Sequence, residues 1–219
     1  ALLDETGKAI QAIGRRFAAH ACDLREPGAA QTAIDAALEA FGRLDVVVHS
    51  AGATKRGDFF DLTDADFEDG FALKFMGAVR LTRAAWPHLM KSAGAMVSII
   101  GMGGRNASPD FTIGGPVNAA LMNFTKAISI RGIRDGVRVM GINPGLIETD
   151  RFRRRVAAHA ATHGCTEDEA RRTLLGEHGI ARVGKPEEIG KLVCYLAGTP
   201  GTYMQGSLVQ VDGGEFHGV

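Results

Sequence analysis

Residues 44–52, LDVVVHSAG, are the stretch from which the architecture of this chain is read. Val46, Val47 and Val48 are consecutive β-branched residues flanked by turn-formers, the pattern of a short strand buried in a parallel sheet. Helical periods lie on both sides of it. Upstream, Pro27 suits a first helical turn and Gly42 a left-handed terminus. Downstream, Thr63 followed by Asp66 makes a capping box that opens a helix running to about Met90.

The alternation continues in both directions. Towards the C-terminus it predicts a strand over 95–100, a helix from Gly115 or Pro116 to about Arg134, and a strand over 137–142. Thr166 with Glu169 caps a short helix, Pro186 starts another that ends before Gly198, and residues 208–211 form the last strand. Towards the N-terminus, residues 2–14 read as a helix and 17–22 as a short strand. Strands alternating with helices imply an α/β fold, a Rossmann-like doubly wound parallel sheet, as a single domain over 1–219.

Composition excludes several classes of function. The 219 residues are 45% apolar and 23% charged, and 25 basic side chains balance 25 acidic ones. No global field draws the protein to nucleic acid or to an anionic membrane. The basic run RFRRR at 151–155 is either a solvated face or a local phosphate contact. Cys22, Cys165 and Cys194 lie far apart without CxxC spacing, as reduced thiols of a cytoplasmic protein would. No apolar run approaches the roughly 20 residues that span a bilayer, and no metal site is expected.

Five landmarks occur in the order found in the short-chain dehydrogenase/reductase family, which the chain resembles over nearly its whole length. Cys22-Asp23-Leu24 ends a strand. LDVVVHSAG is similar to the family's strand leading into an Asn-Asn-Ala-Gly turn, with His49 where the first Asn usually stands. RLTRAAWPHLM at 80–90 looks like its long interface helix, Asn143-Pro144-Gly145-Leu146-Ile147-Glu148-Thr149 like its cofactor-covering turn, and Gln210-Val211-Asp212-Gly213-Gly214 like its last strand. The family opens with a strand, a glycine-rich turn, a helix and a second strand, so a further 30 to 40 or so residues are expected upstream, roughly a βαβ unit less one element.

The resemblance implies NAD or NADP as cofactor. Asp23 would accept from adenine beside the Leu24 backbone, Ala51 and Gly52 would pass close to the ribose, and Ile147 and Thr149, after Pro144 and Gly145, would meet the nicotinamide carboxamide. Alternatively Asp23 only caps a loop and Gly52 only ends a strand. The family's catalytic positions are altered. Counting back from Phe124-Thr125-Lys126, the Tyr-x-x-x-Lys pair falls on Gly114 and Asn118; the serine falls on Gly101, or on Ile100 if the loop slips by one, and the helix asparagine, just upstream of Met76-Gly77, on Lys74. Amide and ammonium have traded helices. Lys74 and Asn118 are therefore the candidate catalytic residues, unless Lys74 snorkels to solvent. Asp110 becomes a candidate acid if burial raises its pKa, and two glycines imply an enlarged pocket.

Three functions follow. The first is an NAD(P)-dependent oxidoreductase acting on a small-molecule alcohol or carbonyl through a rewired site. The second is an inactive nucleotide-binding protein, and the third a non-redox enzyme on the same scaffold. By the same resemblance, helices 63–90 and 118–134 imply a homo-oligomer, a tetramer or at least a dimer.

Overall fold

The valines of 46–48 enter a sheet from one side only. In the computed structural model, which describes residues 2–218, strand β1 (Val46–His49) pairs in parallel with β2 (Ala95–Ile99). β2 pairs with β3 (Arg138–Pro144), and β3 with β4 (Leu208–Val211), all parallel, in the order β1-β2-β3-β4. The expectation that residues 46–48 form a buried strand is corrected here. Val46 and Val48 are 39% and 40% exposed because β1 is an edge strand and their face is left uncovered. Residues 17–22 take no part in the sheet, since no described strand supplies them with a ladder partner.

Parallel strands need long crossovers, and helices supply them. The helices are α1 (Leu2–Ala12), α2 (Ala29–Phe41), α3 (Asp64–Phe71), α4 (Gly77–Ser92), α5 (Gly114–Asp135), α6 (Asp150–His163), α7 (Glu167–Glu177) and α8 (Pro186–Ala197). Strand alternation splits the core into two layers. Val47, Met96 and Val139 pack with Ala85 and Leu89 of α4 and Ile34 of α2. Ala95, Val97, Met140 and Ile142 point the other way, onto Leu196 of α8. Helices cover both faces of the sheet, as a doubly wound α/β fold requires. A separate small core of Phe152, Val156, Ala160, Ala170 and Leu174 joins α6 to α7.

The capping boxes form as the sequence predicts: the Thr63 and Thr166 hydroxyls accept from the backbones of Asp66 and Glu169. Helix 63–90 is not one regular helix, however. Residues Ala72–Met76 widen into a π turn between α3 and α4. Such bulges collect at functional sites because they re-aim a side chain. Lys74 lies within this turn.

Candidate active site

The carboxyl ends of β1, β2 and β3 meet at one edge of the sheet, where open α/β sheets bind their ligands. The Lys74 stem crosses the Gly52 backbone so closely that a Cβ there would lie 2.8 Å from its methylenes. Its Nζ donates to the Ile100 carbonyl and to Asn118 Oδ1, each at 2.5 Å. Lys74 thus turns inward rather than snorkelling. Burial pushes its pKa down, and the nearby Arg151 charge pushes it further, to about 8. Two of three ammonium hydrogens are engaged, which leaves one to donate.

Asn118 sits in the early turns of α5 and is only 3% exposed. An ammonium has no acceptor, so the amide oxygen must face Lys74 and the nitrogen must face away. That nitrogen bonds to no described residue. It lies 3.1 Å from where a Gly101 Cβ would stand and 3.4 Å from that of Gly103. Gly101 has φ 124°, a conformation closed to ordinary L-residues, so a serine there would be strained as well as crowded.

The enlarged pocket expected from the glycines is not found. Phe111 fills the space: a Cβ on Gly114 would lie 2.0 Å from its ring and one on Gly103 2.6 Å. The Arg56 guanidinium covers the other side at 4.0 Å from the ring centroid, and pairs with Asp110 at 2.7 Å. Asp110 is no acid reserve. Burial raises its pKa, but bonds from the Ser108 hydroxyl and Arg56 outweigh that and hold it below the usual carboxylate range.

The other expected contact residues line the same edge. Leu24, Val48, Ala51, Leu73, Ala78 and Leu81 wall a small pocket of about 50 Å³ beside Lys74 and His49. Asp23 precedes Leu24 of that wall, its side chain 50% exposed and bonded to the backbone and guanidinium of Arg25. His49 is buried, with Nδ1 3.3 Å from the Ser98 hydroxyl and Nε2 without a partner. Burial pushes its pKa down to about 4, so it is neutral. The Gly52 carbonyl accepts from Arg151 at 3.1 Å. Pro144 ends β3, and Gly145 is approached closely by Asp212 and Glu215 of the C-terminal segment. Ile147 bridges to Gly184, and the Thr149 hydroxyl donates to the Ile147 carbonyl at 3.3 Å. An apolar pocket with a carboxylate next to its wall suits adenine, which offers flat faces and an exocyclic amine. The residues present fit a dinucleotide.

One assembly escaped the sequence reading. Arg155 of α6 donates to His178 Nε2 at 3.1 Å, and His178 Nδ1 is 2.9 Å from Glu215 Oε1, which also accepts from Asn106 at 3.4 Å. Its members are too far apart in sequence to form a motif. The only available cue was the basic run at 151–155.

A family model described as Enoyl-(Acyl carrier protein) reductase matches residues 2–215. An uncharacterized oxidoreductase of Mycobacterium tuberculosis is 32% identical over 97% of this chain and 78% of its own. L-sorbose reductase from Gluconobacter frateurii, solved with NADPH and L-sorbose, superimposes with a TM-score of 0.94 at 27% identity, covering 99% of this chain and 84% of that one. An NADPH-bound short-chain oxidoreductase of Pseudomonas aeruginosa PAO1, described as containing an atypical catalytic center, gives 0.88 at 25% identity over 99% and 84%. Among the described residues no helix is long and apolar enough to cross a membrane.

Proposed function

Since the chain belongs to the short-chain dehydrogenase/reductase family, we propose that it is an NAD(P)-dependent oxidoreductase that interconverts a small-molecule carbonyl and its alcohol through a rewired site built on Lys74 and Asn118. The observation that carries this is the Lys74 Nζ contact with Asn118 Oδ1, held at the carboxyl edge of the sheet where the dinucleotide would lie. Asp23 and Leu24 hold the adenine end, Ala51 and Gly52 border the ribose, and Pro144, Gly145, Ile147 and Thr149 border the nicotinamide. The bound dinucleotide supplies or accepts the hydride.

The chain's own residues handle the proton. Lys74, charged below about pH 8, gives a proton from Nζ to the substrate oxygen during reduction and takes it back as a neutral amine during oxidation. The Asn118 amide nitrogen, turned towards Gly101 and Gly103 by the bond from Lys74 to Oδ1, donates to the substrate from that side. Ammonium and amide together do the work that a phenol and a hydroxyl do elsewhere in the family.

The test is calorimetric titration with NADH and NADPH, followed by turnover of a carbonyl panel that includes ketoses, in wild type and Lys74→Met. Binding with Lys74-dependent turnover is expected. Binding without any turnover would support the second reading, a nucleotide-binding protein without catalysis, which the Phe111 ring over Gly114 favours.

The homo-oligomer forms through α4 and α5. Ile130 and Ile133 of α5 are 67% and 71% exposed, a cost that burial against a second copy would remove.

A further inference from the structure

Arg151 sits in the first turn of α6 and is exposed. Its guanidinium reaches back to the loop after β1, where it donates to the Gly52 carbonyl at 3.1 Å. Gly52 is also the residue whose backbone the Lys74 stem crosses. One short stretch of backbone therefore carries Arg151 on its carbonyl and Lys74 beside its α-carbon. Two cations far apart in sequence converge on a single residue.

Like charges repel, so this convergence calls for a reason. The carboxylates nearest to Arg151 in sequence are committed elsewhere: Glu148 is held by Arg171 at 2.7 Å, and Asp150 by Arg153. Among the described residues Arg151 forms no ion pair, and its hydrogen bond goes to a neutral carbonyl. Lys74 is in the same state, since its acceptors are the carbonyl of Ile100 and the amide oxygen of Asn118.

The other charged groups around Lys74 do not relieve it. Asp66 and Asp69 of α3 pair with Lys55 and Arg25. Arg80 of α4 donates to the Leu24 and Arg25 carbonyls, and Lys126 of α5 to that of Gly206. His49, in the wall of the neighbouring pocket, is neutral. Besides burial, the Arg151 charge is what acts on the ammonium. A guanidinium stays charged across the whole range in which an amine titrates, so its influence is constant.

We propose that Arg151 is a positioning residue for Lys74: from the first turn of α6 it clasps the Gly52 backbone and keeps an uncompensated positive charge beside the ammonium, so that the seating of α6 is felt at Nζ. Like charge disfavours the protonated amine, and Nζ becomes a readier proton donor. The bearing of this on catalysis rests on the reading of Lys74 given above.

The test follows Nζ directly and apart from turnover. In protein labelled with ¹³C-lysine, the Cδ and Cε shifts report the ionisation of each amine, and Lys74→Met identifies the Lys74 signals. The wild-type midpoint is expected at about pH 8. Arg151→Gln keeps a donor for the Gly52 carbonyl but removes the charge, and should raise that midpoint by roughly half a pH unit or more. Arg151→Lys keeps the charge and should leave the midpoint close to its wild-type value. Arg151 is exposed, so both variants should fold, which circular dichroism checks. An unchanged midpoint in Arg151→Gln, or equal shifts in the two variants, overturns the proposal even where Lys74→Met still loses turnover. The pH profile of carbonyl reduction, measured alongside, should move upward with the midpoint in Arg151→Gln. A midpoint that moves while the profile stays fixed upholds the hold of Arg151 on the ammonium and removes Lys74 as the proton donor.

Discussion

Lys74 Nζ and Asn118 Oδ1 meet at 2.5 Å, and this contact ties the π turn ahead of α4 to the early turns of α5. A charge-assisted bond of this kind fixes both partners. It holds an ammonium of lowered pKa beside an amide nitrogen that has no other bond. The pair is coupled, so changing either residue alters what the other can do.

The first prediction concerns pH. Lys74 must be charged to donate and neutral to accept, and its pKa is about 8. Carbonyl reduction should therefore fall as pH rises through about 8, and alcohol oxidation should rise over the same interval. Rate profiles measured in both directions check this; two flat profiles across pH 7 to 9 would rule Lys74 out as the titrating group. Lys74→Met should lower turnover by about 10² to 10⁴-fold, the usual size of acid–base assistance.

Asn118→Leu should act differently. It removes an acceptor from a half-buried ammonium as well as a donor to substrate. Each such bond is worth about 1 kcal/mol, so a tenfold or greater loss in kcat/KM is expected. The removed acceptor also lowers the Lys74 pKa further, because burial then acts with less compensation. The midpoint of the reduction profile should move to lower pH, a shift that mere loss of packing would not produce.

Much of this arrangement was legible in the sequence because it follows from glycines, prolines and caps. Gly42 ends α2 in the left-handed conformation, Pro186 opens α8, and both Thr-led boxes close as expected. Asn118 was picked out by counting back along α5 and Lys74 by its place just upstream of Met76-Gly77, and the two side chains meet. What remained illegible depends on contacts between distant segments. Nothing local marks Ala72–Met76 as a π turn, and nothing near Gly114 announces that Phe111 lies against it. Val46 to Val48 look buried by composition, but exposure depends on which strands and helices cover them. Residues 155, 178 and 215 share no spacing rule, so the Arg155–His178–Glu215 chain could only be seen once folded.

The third prediction tests assembly. Ile130→Asp with Ile133→Asp places two carboxylates on the outer face of α5 without touching Lys74 or Asn118. Light scattering after size exclusion should give a lower mass for the variant than for the wild type. Equal masses for the two proteins would remove α5 from the interface.

The last prediction turns on Phe111. Gly114 is where a tyrosine would stand in other members of the family, yet a Cβ there would lie 2.0 Å from the ring. Gly114→Tyr alone must therefore push Phe111 out of its packing, an overpacking cost of about 1–3 kcal/mol. A fall in Tm of several degrees is expected, since about 2–4 °C accompanies each kcal/mol in a domain of this size. Phe111→Ala with Gly114→Tyr removes the obstruction and should recover most of the lost Tm. It also brings a phenol, with an ordinary pKa of about 10, towards the Lys74 ammonium, which favours the phenolate. Turnover in the double variant should exceed that of either single variant. Should Gly114→Tyr prove as stable as wild type, Phe111 yields freely and the filled pocket is no barrier to the usual chemistry.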